Sequence, residues 1–195
     1  MKEIPIRLFI FWSYVPEWWA RAIVWITGRQ LPDKSDAWAH MGIGYEYAGG
    51  RREYFEAIVD DGFVGPKPFQ KLVNKTRSGR LTLEWLYFSP VDIEKIFNEC
   101  QRWVGKKSYS KWQLVRMWFF ERFGRWVGMH VRRTPDILVC SEADARLIGE
   151  QMFRHLWLMC FYELRDEIRT RYDEVNPNSA YRKRVADGAV FETIN

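Results

Sequence analysis

The pattern of apolar and polar positions divides the chain into a front half of short extended segments and a back half of helical ones. Ile4 to Trp12 is β-rich and nearly continuous in apolar residues, which predicts a buried strand. Ser13-Tyr14-Val15-Pro16-Glu17 then reads as a helix start. Ser13 or Tyr14 closes the strand, Pro16 suits a first turn, and Glu17 suits the positive end of a helix dipole. That helix is expected to run to Thr27 and stop at Gly28. A polar loop, Gln30 to Asp36, follows. Trp38 to Tyr47 is a strand, Ala48-Gly49-Gly50 a turn, and Arg52 to Ile58 its hairpin partner. Asp60-Asp61-Gly62 is another turn signal. Phe63 to Pro68 suits a short edge strand, because its two prolines remove ladder donors. Leu81 to Phe88 is a further strand.

Ser89-Pro90-Val91-Asp92 opens a helix to about Val104, with serine as cap, proline in the first position, an acid in the first turn and Gly105 at the end. Pro135 to Val139 leads into Cys140, and a helix follows through Leu147 at least. Met152 to Tyr162 is strongly apolar and reads as a buried helix. Arg165 to Arg171 is charged, a solvated helix or its frayed end, and Asn176-Pro177-Asn178-Ser179 is a turn. No repeat, low-complexity segment or linker interrupts this series. The expectation is a single α+β domain over residues 1–195, with helices before and after a small antiparallel sheet.

Composition changes this picture in three places. Aromatic residues make up 17% of the chain and eleven of them are tryptophan, a side chain that suits both large cores and half-wet interfaces. The formal net charge of +5 favours an anionic partner or surface. Three cysteines, Cys100, Cys140 and Cys160, have no CxxC spacing, which argues against a disulfide framework and for a reducing compartment. The first residues lack a basic leader followed by an apolar run, and Leu8 to Gly28 is interrupted by Pro16, Glu17 and Arg21. The expected location is therefore cytoplasmic, without a membrane-spanning segment.

Candidate chemistry rests on Cys140, His40 and Glu56. Most cysteines are simply buried, but Cys140 precedes Ser141, Glu142 and Asp144, as the first turn of a helix would have them. A thiol there sits in the positive end of the dipole, and the free backbone N–H groups of the same turn suit an oxyanion. Cys100 falls late in a helix and Cys160 in an apolar run, so both read as structural. His40 is flanked by small Ala39 and Gly42, leaving room beside the ring for a substrate or a second backbone. Glu56 follows the Gly-Gly hairpin, within reach of the His40 strand. A carboxylate accepting the imidazole N–H fixes the tautomer and supports the charged ring. Glu46 and Glu53 read as plain hairpin-surface carboxylates.

Trp38-Ala39-His40-Met41-Gly42-Ile43, Tyr54-Phe55-Glu56-Ala57 and Val139-Cys140-Ser141-Glu142, in that order, resemble the circularly permuted branch of the NlpC/P60 papain-like superfamily, and within it the YiiX/YebB-like permuted hydrolases. The resemblance covers most of the chain. It implies a permuted papain-like fold with Cys140 as nucleophile, His40 as general base and Glu56 as the polar third residue. It implies a thiol hydrolase of amide or ester bonds, peptidase- or amidase-like, working through an acyl-enzyme. Ser13, Tyr14, Trp38 and Ser141 are the accompanying candidates for binding substrate or oxyanion. Ala39 departs from the serine common before the histidine. The nearest alternative is a lipid-directed acyltransferase or thioesterase of the lecithin:retinol acyltransferase-like type. A non-catalytic binding module is the second.

Residues 106–133 form a basic aromatic elaboration of this core, with eight Lys or Arg interleaved with tryptophan, tyrosine and phenylalanine. It suits an amphipathic helix packing its rings on the core, or an anionic membrane surface. Nucleic acid is the weakest reading, since no helix-turn-helix, zinc-finger or RNP-type pattern is present. Acyl, peptide or lipid substrates are the expected partners. No cofactor and no metal is expected: His40, Glu56 and Cys140 lack short ligand spacing, and Gly42-Ile43-Gly44 lacks the third glycine of a phosphate-binding loop.

Overall fold

The computed structural model describes residues 3–27, 38–59, 61–86, 88–105, 147 and 191–194. Six strands among them form one sheet: β1 (Arg7–Tyr14), β2 (His40–Glu46), β3 (Arg52–Ile58), β4 (Gly62–Pro68), β5 (Arg80–Leu86) and β6 (Phe191–Ile194). Their order is β4-β3-β2-β1-β5-β6, and every neighbouring pair is antiparallel. Three helices are described with the sheet: α1 (Trp18–Thr27), α2 (Phe69–Thr76) and α3 (Pro90–Trp103). This is the small antiparallel α+β architecture expected from the sequence.

β1 is central, and Leu8 to Trp12 are all fully buried. That explains its unbroken apolar run: both faces of this strand are covered, so neither can be polar. On one face Leu8, Ile10 and Trp12 lie in register with Met41, Ile43 and Tyr45 of β2. α3 covers this face. Phe97 meets Tyr45 edge-on at 5.2 Å and Phe55 at 6.2 Å, while Cys100 Sγ lies 3.1 Å from the Tyr45 hydroxyl. Burying Ile93, Ile96 and Phe97 contributes about 1.5–3 kcal/mol per side chain. Leu147 is helical and buried in the same core cluster. The α3 start is as expected, with Ser89 Oγ accepting from Asp92 N at 3.2 Å and Pro90 in the first turn. Cys100 is the buried structural thiol that its sequence context predicts.

The opposite face carries Phe9, Phe11 and Ser13 of β1 beside His40, Gly42 and Gly44 of β2 and Tyr54 and Glu56 of β3. α2 packs here, with Phe69 edge-on to Phe9 at 5.8 Å and Leu72 fully buried. This helix was not foreseen, although Phe69, Leu72, Val73 and Thr76 follow the i, i+3, i+4, i+7 spacing of one helical face. It is two turns long and starts directly after Pro68, so no capping signal separates it from β4. β6 was not foreseen either. Its four residues pair with β5, and Glu192 is tied to Arg52 at 2.8 Å and Trp85 at 3.1 Å.

Boundaries shift at the front of the chain. β1 begins at Arg7 rather than Ile4, leaving Ile4 and Ile6 half exposed, and it continues to Tyr14. Ser13 closes nothing, because it is buried in the ladder between His40 and Leu81. The helix therefore starts at Trp18 and takes its first bond, Arg21 N to Glu17 O, at 2.9 Å. β5 ends at Leu86 rather than Phe88. Phe63 to Pro68 lies within β4, at the sheet edge as the prolines required. Among the described residues, no helix is long and apolar enough to cross a membrane.

Candidate active site

His40 opens β2, and Glu56 lies near the end of β3, its hairpin partner. The register sets Glu56 opposite Gly42, so His40 is its diagonal neighbour on the same sheet face. The diagonal is bridged directly, with His40 Nε2 at 2.8 Å from Glu56 Oε2. Two glycines make this geometry accessible. A Cβ on Gly42 would stand 2.4 Å from the Phe55 carbonyl oxygen and 2.5 Å from the Phe11 ring, and one on Gly44 would strike the Phe9 ring at 2.2 Å. The space beside His40 is thus filled by the protein's own backbone and by Phe11, whose ring lies 5.9 Å from the imidazole. Of the two uses expected for the small residue at Gly42, room for a substrate or for a second backbone, the second is the one seen: the Phe55 backbone and the Phe11 ring lie against it.

The Glu56 side chain is 1% exposed and that of His40 15%. Burial alone raises a carboxyl pKa. Here the hydrogen bond and charge of His40, with Lys75 and Lys67 behind them, outweigh burial and hold Glu56 well below the usual carboxylate range. An ionised carboxylate only accepts, so Nε2–H donates to it and the neutral ring carries its basic lone pair on Nδ1. Lys67 Nζ donates to Oε1 at 3.1 Å, and Lys75 Nζ donates to Oε2 at 3.3 Å. Tyr54 completes the surroundings: burial first, then the Glu56 charge and hydrogen bond, raise its phenol pKa above the ordinary value. An oriented imidazole with a buried anion behind it is equipped to take and return a proton.

The other predicted residues fall differently. Ser13 is directly opposite His40 on β1 and shares its face, so the sheet brings the two together. Tyr14 alternates to the other face, where Arg80 lies 5.3 Å over its ring. Trp38 is buried with Arg80 4.8 Å over its ring, and its indole Nε1 has no hydrogen-bond partner among the described residues. Cys140 and Ser141 lie outside the described residues, as do residues 106–133, His130, His155 and Cys160. Glu46 and Glu53 lie on the hairpin as read from sequence but are half-buried rather than plain surface groups, the first paired with Arg7 and Arg52 and the second with Arg51 and Tyr47.

Lys67 and Lys75 were missed by sequence reading. Lys67 reaches Glu56 through a register irregularity between Tyr54 and Glu56 on the β3–β4 ladder, and Lys75 reaches it from the last turn of α2. Neither lysine stands in a recognisable motif. Glu84 was also missed. It is fully buried on the α3 side of the sheet, and Trp12 Nε1 donates to it at 2.8 Å. Among the described residues no three or more His, Cys, Asp or Glu side chains gather as a metal site requires. No protein-family model, no curated protein and no solved structure matches this chain.

Proposed function

We propose that the chain is a cysteine-nucleophile hydrolase of amide or ester bonds, with Cys140 as nucleophile, His40 as base and Glu56 as its orienting acid, in a permuted papain-like arrangement of the NlpC/P60 kind. The observation that carries this reading is the 2.8 Å bond between His40 Nε2 and a Glu56 carboxylate that is almost wholly buried and yet ionised. A surface histidine has no need of a buried counter-anion, whereas a base that must become charged during each turnover does.

In this mechanism Nδ1 of His40 takes the Cys140 thiol proton, and the sulfur bonds to the substrate carbonyl carbon. The carbonyl π pair moves onto oxygen, which backbone N–H groups of the helix start that the sequence predicts at Cys140 would stabilise. Collapse of the adduct expels an amine or alkoxide, and His40 returns its proton to that leaving group. Water, deprotonated by the same ring, adds to the thioester, and the acid departs as the thiolate re-forms. An alcohol or amine in place of water turns the cycle into acyl transfer, the nearest alternative. A thiol nucleophile suits a reducing compartment, so the reading puts the chain in the cytoplasm.

A mapped alkylation tests this assignment. Brief exposure to limiting iodoacetamide near neutral pH, followed by peptide mass spectrometry, is expected to label Cys140 far ahead of Cys100 and Cys160. Labelling of Cys140 no faster than the buried Cys100 removes the nucleophile, and the non-catalytic binding module then becomes the better reading.

One further observation favours an interfacial substrate or partner. Trp18 is 82% exposed and Trp25 56%, and with exposed Arg21 they take i, i+3, i+7 positions on one face of α1. Indoles beside a cation suit the boundary of an anionic membrane. Salt-sensitive sedimentation with anionic vesicles, weakened by Trp18→Ala, is the expected result. Equal sedimentation with neutral vesicles, or none at all, counts against it.

A further inference from the structure

Besides the Tyr54 hydroxyl, Glu56 serves three nitrogen donors rather than one. Its Oε2 accepts from His40 Nε2 at 2.8 Å and Lys75 Nζ at 3.3 Å, while Oε1 accepts from Lys67 Nζ at 3.1 Å. The three nitrogen donors come from three separate elements, β2, α2 and β4, and converge on a carboxylate held by a fourth, β3. One negative charge thus faces two ammonium groups before the imidazole gains any charge of its own.

A catalytic base needs a different balance from a structural ion pair. With Glu56 alone behind it, a largely buried imidazole would be held firmly as imidazolium and would be a poor acceptor for a thiol proton. Two lysines on the same carboxylate oppose this. They add to His40 in holding Glu56 ionised, and their own charges disfavour a third cation. His40 Nε2 and Lys75 Nζ share one oxygen, so they lie within about 6 Å of each other, a range at which like charges still interact measurably near a protein surface. The titratable groups on the described elements around the pair are Glu56 and Tyr54 on β3, Lys67 on β4 and Lys75 on α2, while β1 offers Ser13 and the Phe11 ring.

We propose that Lys67 and Lys75 are positioning residues that lower the proton affinity of His40 by sharing its carboxylate, so that the ring rests as a neutral base. The inference rests on His40 being the base of the proposed hydrolase. Both lysines are partly exposed, at 30% and 47%, so each can be replaced without opening the core.

The test is a titration of the His40 ring by NMR in the full chain, its resonance assigned by its loss in His40→Gln. Lys75→Met and Lys67→Met are expected to raise the His40 midpoint by about half a unit to one unit. Lys75→Arg and Lys67→Arg, which keep the charge, are expected to stay near the parent value. A rise in either methionine variant that its arginine counterpart reverses supports the proposal. An unchanged or lowered midpoint in both overturns it, as does a rise that arginine fails to reverse. The titration needs no nucleophile, so it is separable from the hydrolase reading. If Cys140 proves inert while the midpoint moves, the enzyme reading alone fails. If Cys140 is reactive and the midpoint stays still, this inference alone fails.

Discussion

At the scale of single residues, Glu56 carries most of the consequence. It is a buried anion with hydrogen bonds from His40, Lys67 and Lys75, and replacing its charge by a neutral amide costs more than one bond, because an NH2 group then faces these donors at a buried position. Glu56→Gln is expected to lower stability on the order of 2–4 kcal/mol in urea unfolding. A loss no larger than that of a surface substitution would show that the carboxylate is not a hub. The pH dependence has a definite sign. The folded-state pKa of Glu56 is depressed below its ordinary value of 4.5, so its contribution is complete above that pH and is lost as pH falls through the folded value. The parent chain should therefore lose stability on acidification below about pH 4.5 more steeply than Glu56→Gln. His40 and Glu56 were legible in the sequence because one hairpin joins them, and a hairpin can be read from its turn. The lysines were not, because only the β3–β4 irregularity and the packing of α2 bring them in, and no local pattern encodes either.

At the scale of elements, the β2–β3 hairpin depends on the glycines that let β1 aromatics lie across it. Gly42→Ala would press a methyl group against the Phe55 carbonyl oxygen, which is backbone and cannot rotate away. Overpacking of this kind costs about 1–3 kcal/mol, and because the strain falls between His40 and Glu56 it should also disturb their bond. Urea unfolding checks the first effect, and the His40 NMR line position at neutral pH checks the second. A fully stable Gly42→Ala with an unshifted His40 signal would contradict this account of the hairpin. Ser89→Ala, which removes the α3 cap, should cost about 1 kcal/mol and leave the His40 signal in place, since α3 packs on the other face. Strands β1 to β5, and helices α1 and α3, were readable because their apolar periods are bounded by Gly, Pro or Ser. α2 was hidden by its brevity and by the absence of a cap, and β6 because a four-residue strand at an edge has too few positions to show a period.

At the scale of the whole molecule, the sheet order explains why a site spread over distant positions can be built at all. β1 sits between β2 and β5 and is buried on both faces, so its aromatics form the floor on which His40 and Glu56 are held, while α2 brings Lys75 over the same face. The third part of the proposed chemistry is expected from far along the chain, where the sequence context of Cys140 predicts a helix start, and Cys140 itself lies outside the described residues. Leu147, to which the helix after Cys140 is expected to reach, is helical and packed in the core. The central claim is that the thiol and the His40–Glu56 pair work as one unit. Its most direct test is the rate of Cys140 alkylation as a function of pH in the parent chain and in His40→Ala. The account predicts a parent thiol that reacts well below the ordinary cysteine pKa of about 8.5, and an inflection that moves toward that value in His40→Ala. A Cys140 that is inert in the native chain, or whose pH–rate profile is the same with and without the histidine, would contradict it.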